Sequence, residues 1–292
     1  MKKSITWQIL SEQAVEFDAK RDVKALFDKI IELWVEQSHS INRRITGSVL
    51  VNDEDKERLI REVPAGSADH VEVRKFVTKT EKFSENAYEA SFFEEDLLVR
   101  FWPIVEDNKE HPHVPSPYSI GCVQGDEKRV KLRLLGSATE DPKSYWFLQT
   151  VAFPQVFKWF CNVDPSKERR ITNCLMNIEN YSKRYRQLKE TIGRAVCEKW
   201  EEKTDPQKFV FEDCGISTYL LELFDSGICP KPKKFVDVGC GNGLLVHILN
   251  EEKIPGYGVD VRKRKIWDSQ FARNDLRENS VDPSKFEVLF SL

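Results

Sequence analysis

The residues with the most specific chemical use lie near the C-terminal end. In Asp237-Val238-Gly239-Cys240-Gly241-Asn242-Gly243, three glycines alternate behind a carboxylate. Glycine accepts positive φ and has no Cβ, so backbone N–H groups in such a loop can come close to a ligand. A helix opening at Leu244 supplies further unpaired donors in its first turn. Asp260 follows Gly243 by 17 residues, where its carboxylate can accept hydrogen bonds from both hydroxyls of a ribose. Asp237, Gly239, Cys240, Gly241, Asn242, Gly243 and Asp260 are therefore the candidate binding set for a nucleoside-bearing ligand. A pyrophosphate-binding loop needs a small third position for close helix packing. Leu244 stands there, which argues against a dinucleotide.

These side chains need a strand, a helix and a second strand to position them. Residues 234–238 read as a short apolar strand and 244–250 as a helix. Pro255-Gly256 marks a turn, and 257–260 is a second strand ending in the carboxylate. That is half of a nucleotide-binding βαβ unit. Phe286 to Phe290 is a candidate third strand. Upstream, apolar residues at helical spacing predict a helix over 21–37. Strand patterns occur at 49–51, 71–76, 92–102, 118–123 and 130–134, so residues 40–135 read as β-rich. The proline-rich 111–117 is a loop. A long helical stripe covers 142–203 and stops at Asp205-Pro206; a further helix runs from Glu212 to Phe224. The predicted fold class is an α+β N-terminal domain over 1–204, β-rich at 40–135 and helical at 142–203. An α/β domain follows over 205–292.

The 292 residues include 40% hydrophobic and 32% charged side chains, enough to bury a core and unlike a disordered chain. The 45 Lys+Arg against 48 Asp+Glu exclude a general polycation for nucleic acid. Any such contact must come from local clusters. Arg262, Lys263, Arg264 and Lys265 follow Asp260 directly and are the RNA-binding candidates, because cations at a helix start oppose its macrodipole and call for an anionic partner. Lys183, Arg184, Arg186 and Lys189 read as a solvated helix face. His111 and His113 lack neighbouring metal ligands, so no metal is expected. His247 reads as a packed helix histidine and Trp267 as a core residue. Seven cysteines without a CxxC pair are expected to be reduced thiols, in a cytoplasmic protein with no membrane span.

The string D-x-G-x-G-x-G at 237–243 resembles the first motif of class I, Rossmann-like S-adenosylmethionine-dependent methyltransferases. Asp205 to Asp213, Thr218 to Leu221, Phe235 to Leu249 and Gly258 to Asp268 together closely resemble the eukaryotic tRNA (uracil-2'-O)-methyltransferase family. The resemblance implies S-adenosyl-L-methionine as cofactor, with the methionine end over the glycine loop and Asp237 orienting its amine. It implies methylation of the ribose 2'-hydroxyl of a uridine beside the variable arm of serine tRNA, position 44. No catalytic base is assigned, since the family's later substrate-side motifs are not found in this sequence. The α/β domain is therefore expected to be a partial, C-terminally truncated methyltransferase domain. The alternatives are a class I methyltransferase acting on another substrate, and an inactive homologue that binds RNA or protein.

Overall fold

Strands and helices are organised in two different ways along the chain, and the change falls near residue 172. The computed structural model describes residues 5–17, 22–61, 63–64, 68, 70–95, 97–125, 129–167, 175–271 and 275–280. Two compact units, Met1–Ile171 and Thr172–Leu292, make up the chain.

The first unit contains β1 (Trp7–Glu16), α1 (Val23–Glu36), α2 (Ser38–Ile41), β2 (Ile45–Leu50), α3 (Asp53–Ile60) and β3 (His70–Thr78). They are followed by β4 (Ala87–Glu94), β5 (Leu98–Val105), β6 (Tyr118–Gln124), β7 (Arg129–Ser137) and α4 (Phe153–Asn162). All seven strands form one antiparallel sheet in the order β1-β7-β6-β5-β4-β3-β2. The predicted helix over 21–37 is α1, capped by the Asp22 carboxylate, which accepts from the Ala25 N–H. Its stripe of Leu26, Ile30 and Trp34 packs with Phe101, Tyr118, Ile120 and Leu132 of the sheet and Phe153 and Phe160 of α4. The apolar run at 92–102 is a hairpin rather than one strand: the chain reverses between β4 and β5, with Leu97 at φ 56°.

A polar chain crosses this core. The Trp34 indole donates to the Tyr118 hydroxyl at 3.0 Å, and that hydroxyl donates to Glu89 Oε2 at 3.0 Å. The 111–117 loop is irregular as predicted, yet His111, His113 and Val114 are buried in it. Asn42 satisfies it by donating to the Pro112 carbonyl at 2.9 Å and to His113 Nδ1 at 3.1 Å. Burial pushes the His111 and His113 imidazoles down to about 4 and about 3, so both are neutral packing residues.

The second unit contains α5 (Ile178–Leu188), α6 (Arg194–Glu198), α7 (Pro206–Asp225), β8 (Phe235–Val238), α8 (Leu244–Glu251), β9 (Gly256–Asp260), α9 (Lys265–Gln270) and β10 (Leu276–Glu278). A π-type segment, Lys189–Gly193, joins α5 to α6. The strands form a parallel sheet in the order β10-β9-β8. Leu188, Val196, Val210, Cys214, Leu221, Leu244 and Trp267 share its core.

Two expectations change here, and a third falls outside the described residues. The boundary placed at 204 moves to 171/172. The reason is packing: Leu188 and Val196 are buried with α7 and the glycine-loop helix, and Arg184 bonds Glu222 at 3.0 Å and Asp225 at 2.6 Å. Next, α7 begins at Pro206 rather than at Glu212. Proline is well suited to the first helical position, where its missing N–H costs nothing, and Asp205 caps it by accepting from Gln207 N–H at 3.0 Å. Finally, a third strand is β10 at 276–278, while the one expected at 286–290 lies outside the described residues.

Candidate cofactor-binding site

The loop leaves β8 through Gly239 at φ 84°. The Gly239 and Cys240 N–H groups both donate to the Val259 carbonyl, at 2.7 and 3.1 Å, which pins the loop to β9. Gly241 has φ 54° and Gly243, capping α8, has φ 84°. An added Cβ at 239 or 241 would meet no atom within 4 Å, so the loop faces open space at both positions. At 243 it would lie 2.5 Å from the Leu276 side chain.

Asp260 ends β9 and is buried, with 8% exposure. Its Oδ2 accepts from the Gly241 N–H at 2.9 Å and its Oδ1 from the Arg262 N–H at 3.1 Å. The carboxylate predicted to meet a ribose thus also braces the loop. The Trp267 indole donates to the Gly241 carbonyl at 3.0 Å and its ring is buried, so its expected core role includes holding the same glycine.

The candidate loop residues differ in what they offer. Cys240 is buried, and a Cβ at Gly258 would lie 2.7 Å from its sulfur. Its side chain packs inward, and burial followed by the charges of Asp237 and Asp260 pushes its thiol up to about 12. Asn242 accepts from the Leu244 N–H at 2.7 Å, and donates to Asp213 Oδ2 at 2.6 Å.

Asp213 was not among the sequence candidates. It projects from α7, where Val210, Cys214, Ser217 and Leu221 form the buried stripe. A carboxylate at position i+3 of that stripe was the available signal. Burial pushes Asp213 up to about 6, opposed by its bond from Asn242 and reinforced by the charges of Glu212 and Asp237. Asp237 is also raised, first by burial and then by Asp260. Asp213, Asp237 and Asp260 thus place repelling negative charges around the loop. A cationic ligand relieves that repulsion.

The basic run is divided. Lys263 pairs with Asp268 at 2.8 Å and Arg264 approaches Asp260 at 4.0 Å. Arg262 and Lys265 are exposed and make no ion pair among the described residues. In the other basic group, Arg184 is paired, while Lys189 lies over the Phe211 ring at 4.2 Å. His247 packs against Phe271 with tilted rings whose centres are 4.9 Å apart, the packed role expected of it.

A family model described as "Predicted AdoMet-dependent methyltransferase" matches residues 175–283, nearly the span of the second unit. That unit carries an AdoMet-dependent methyltransferase domain, and S-adenosyl-L-methionine is the cofactor this family implies. Its two positive centres suit the three carboxylates, and the open face above Gly239 and Gly241 leaves room for it.

The whole chain has relatives as well. It is 46% identical over 289 residues to "Probable tRNA (uracil-O(2)-)-methyltransferase" of Caenorhabditis briggsae, covering 95% of this chain and 51% of that one. The Caenorhabditis elegans protein of the same name is 44% identical over 291 residues, with the same coverage. "tRNA (uracil-O(2)-)-methyltransferase" of Saccharomyces cerevisiae is 38% identical over 210 residues, covering 66% of this chain and 36% of the yeast protein. The chain is similar along nearly its whole length to these nematode tRNA (uracil-O(2)-)-methyltransferases and spans about half of theirs.

Proposed function

We propose that this chain binds S-adenosyl-L-methionine on the 237–243 loop and takes part in methylating the ribose 2'-hydroxyl of a uridine in tRNA, position 44 of serine tRNA. The observation that carries this reading is the open glycine loop ringed by Asp213, Asp237 and Asp260. When bound, the cofactor supplies an electrophilic sulfonium methyl group. Asp237 takes the ligand's ammonium, and Asp260 accepts from its ribose while keeping the Gly241 N–H in place. Gly239 and Gly241 leave the backbone uncovered for the methionine part. Arg262 and Lys265 present free cations beside the loop to a phosphate backbone.

The reaction forms a bond between the 2'-oxygen and the methyl carbon as the carbon–sulfur bond breaks, with the hydroxyl proton passing to solvent or a base. Holding the two reactants in line is the larger share of the work. The α/β unit has the Rossmann-like class I arrangement in this reading, supported by its parallel strands around the glycine loop. The described cysteines are free thiols, which supports a cytoplasmic location. Among the described residues no helix is long and apolar enough to cross a membrane.

The test is incubation of the chain with methyl-labelled cofactor and total tRNA, followed by mapping of ribose methylation. Label at a 2'-O-methyluridine of serine tRNA is the expected result. Label on protein with none on tRNA overturns the substrate, and no measurable cofactor binding by calorimetry overturns the loop assignment.

A further inference from the structure

An open groove of about 450 Å³ lies between α5 and α7, away from the glycine loop's own ligand set. It is walled by Tyr181 and Tyr185 on one side and Phe211, Gly215 and Tyr219 on the other, with Glu212 at its margin. The Tyr181 and Tyr185 rings, one helical turn apart, are nearly parallel, with centres 6.1 Å apart and planes at 4°. The lack of a side chain at Gly215 opens the space: an added Cβ would touch the Tyr181 hydroxyl at 3.4 Å.

The charges around it suit one kind of occupant. Lys189 sits over the ring of Phe211, a wall of the groove, at 4.2 Å and makes no ion pair among the described residues. Aromatic faces flanked by unpaired cations are the elements that hold single-stranded nucleic acid, the faces stacking bases and the cations meeting phosphates. Glu212, exposed at the margin, can accept from an exocyclic amino group of a base.

We infer that this groove takes an unpaired nucleobase of the tRNA, stacked on Tyr181 and Tyr185, with a flanking phosphate at Lys189. The groove shares α7 with Asp213, whose carboxylate bonds the loop residue Asn242. One helix therefore carries both the groove and a wall of the cofactor loop, which links where the RNA is held to where the methyl group is delivered. This inference rests on the reading of the chain as one that acts on tRNA.

The test measures binding of a serine tRNA transcript and of S-adenosylmethionine separately. Gly215→Leu fills the groove at a helical position that favours leucine over glycine. It should weaken tRNA binding about tenfold or more, the scale of a lost base stack, with cofactor affinity unchanged. Tyr181→Ala should do the same and Tyr181→Phe should restore most of the affinity. A transcript carrying 4-thiouridine should crosslink to peptides containing Tyr181 or Tyr185. Unchanged tRNA affinity in Gly215→Leu, crosslinks confined to other elements, or displacement of an apolar peptide rather than tRNA would each overturn the groove assignment. A wild-type chain that binds cofactor but no tRNA overturns the groove and the tRNA reading together. A chain that binds tRNA at the groove but no cofactor overturns only the loop assignment.

Discussion

Both units bury carboxylates, and they do so for opposite ends. In the first unit Glu89 is enclosed by the sheet and α1, and its bond from the Tyr118 hydroxyl is its named partner. Burial outweighs that bond and pushes the group up to about 8, so it is neutral at ordinary pH. A neutral acid in an apolar core costs little once hydrogen-bonded. In the second unit Asp213, Asp237 and Asp260 crowd one another around a loop that opens to solvent. Their strain is relieved by a cation. The same residue chemistry is thus silenced by enclosure in one place and left with mutual repulsion beside an open loop in the other.

The sharpest way to break the comparison is Asp260→Ala. It removes both the ribose acceptor and the bond to the Gly241 N–H. The cost should be on the order of 3–4 kcal/mol in cofactor affinity, the scale of truncating one partner of a buried charged hydrogen bond, read by calorimetry. Wild-type affinity in this variant would mean that the loop is not the receptor.

The next effect belongs to Glu89. The folded state keeps a proton that the unfolded chain releases from about 4.5 upward, so this group's contribution to stability is largest below that pH. It should fall as pH rises from about 4.5 to about 8. Urea unfolding at pH 5 and pH 8.5 should differ by on the order of 3–4 kcal/mol from this group. Glu89→Gln should remove that difference and leave cofactor affinity alone; a Gln variant as pH-dependent as the wild type would show that Glu89 titrates without cost.

Asp213 gives the smallest and most discriminating effect. A bound cation favours its carboxylate form, so binding below about pH 6 must expel a proton. Cofactor affinity should therefore rise with pH up to about 6 and level off above it. Asp213→Asn should lower affinity at neutral pH by about tenfold or less, roughly 1 kcal/mol, and flatten the profile. An unchanged profile would assign Asp213 to bracing Asn242 alone.

Some of this was legible from residues in order. The glycine alternation, the helix after it and Asp260 are all seen where expected, because turn chemistry and a short βαβ link are coded by neighbours. The α1 stripe is of the same kind. Strand β1 was not legible. It is mostly exposed, and what holds it is pairing with β7 and ion pairs from Glu12 to Lys131 at 2.9 Å and Arg133 at 2.6 Å. No local periodicity records a partner more than a hundred residues away. The start of α7 was misread for a nearer reason: a proline disfavours helix in the residue before it but is itself well placed at the first helical position.

By itself the sequence determined the glycine loop between a strand and a helix and the carboxylate ending the next strand, since each depends on residue types at close spacing. The tertiary structure decided where the units divide, that Asp213 joins the loop, that Cys240 turns inward, and that Tyr181, Tyr185 and Gly215 frame one groove. Those outcomes depend on which helix face meets which neighbour, and packing settles that only when the whole unit has folded.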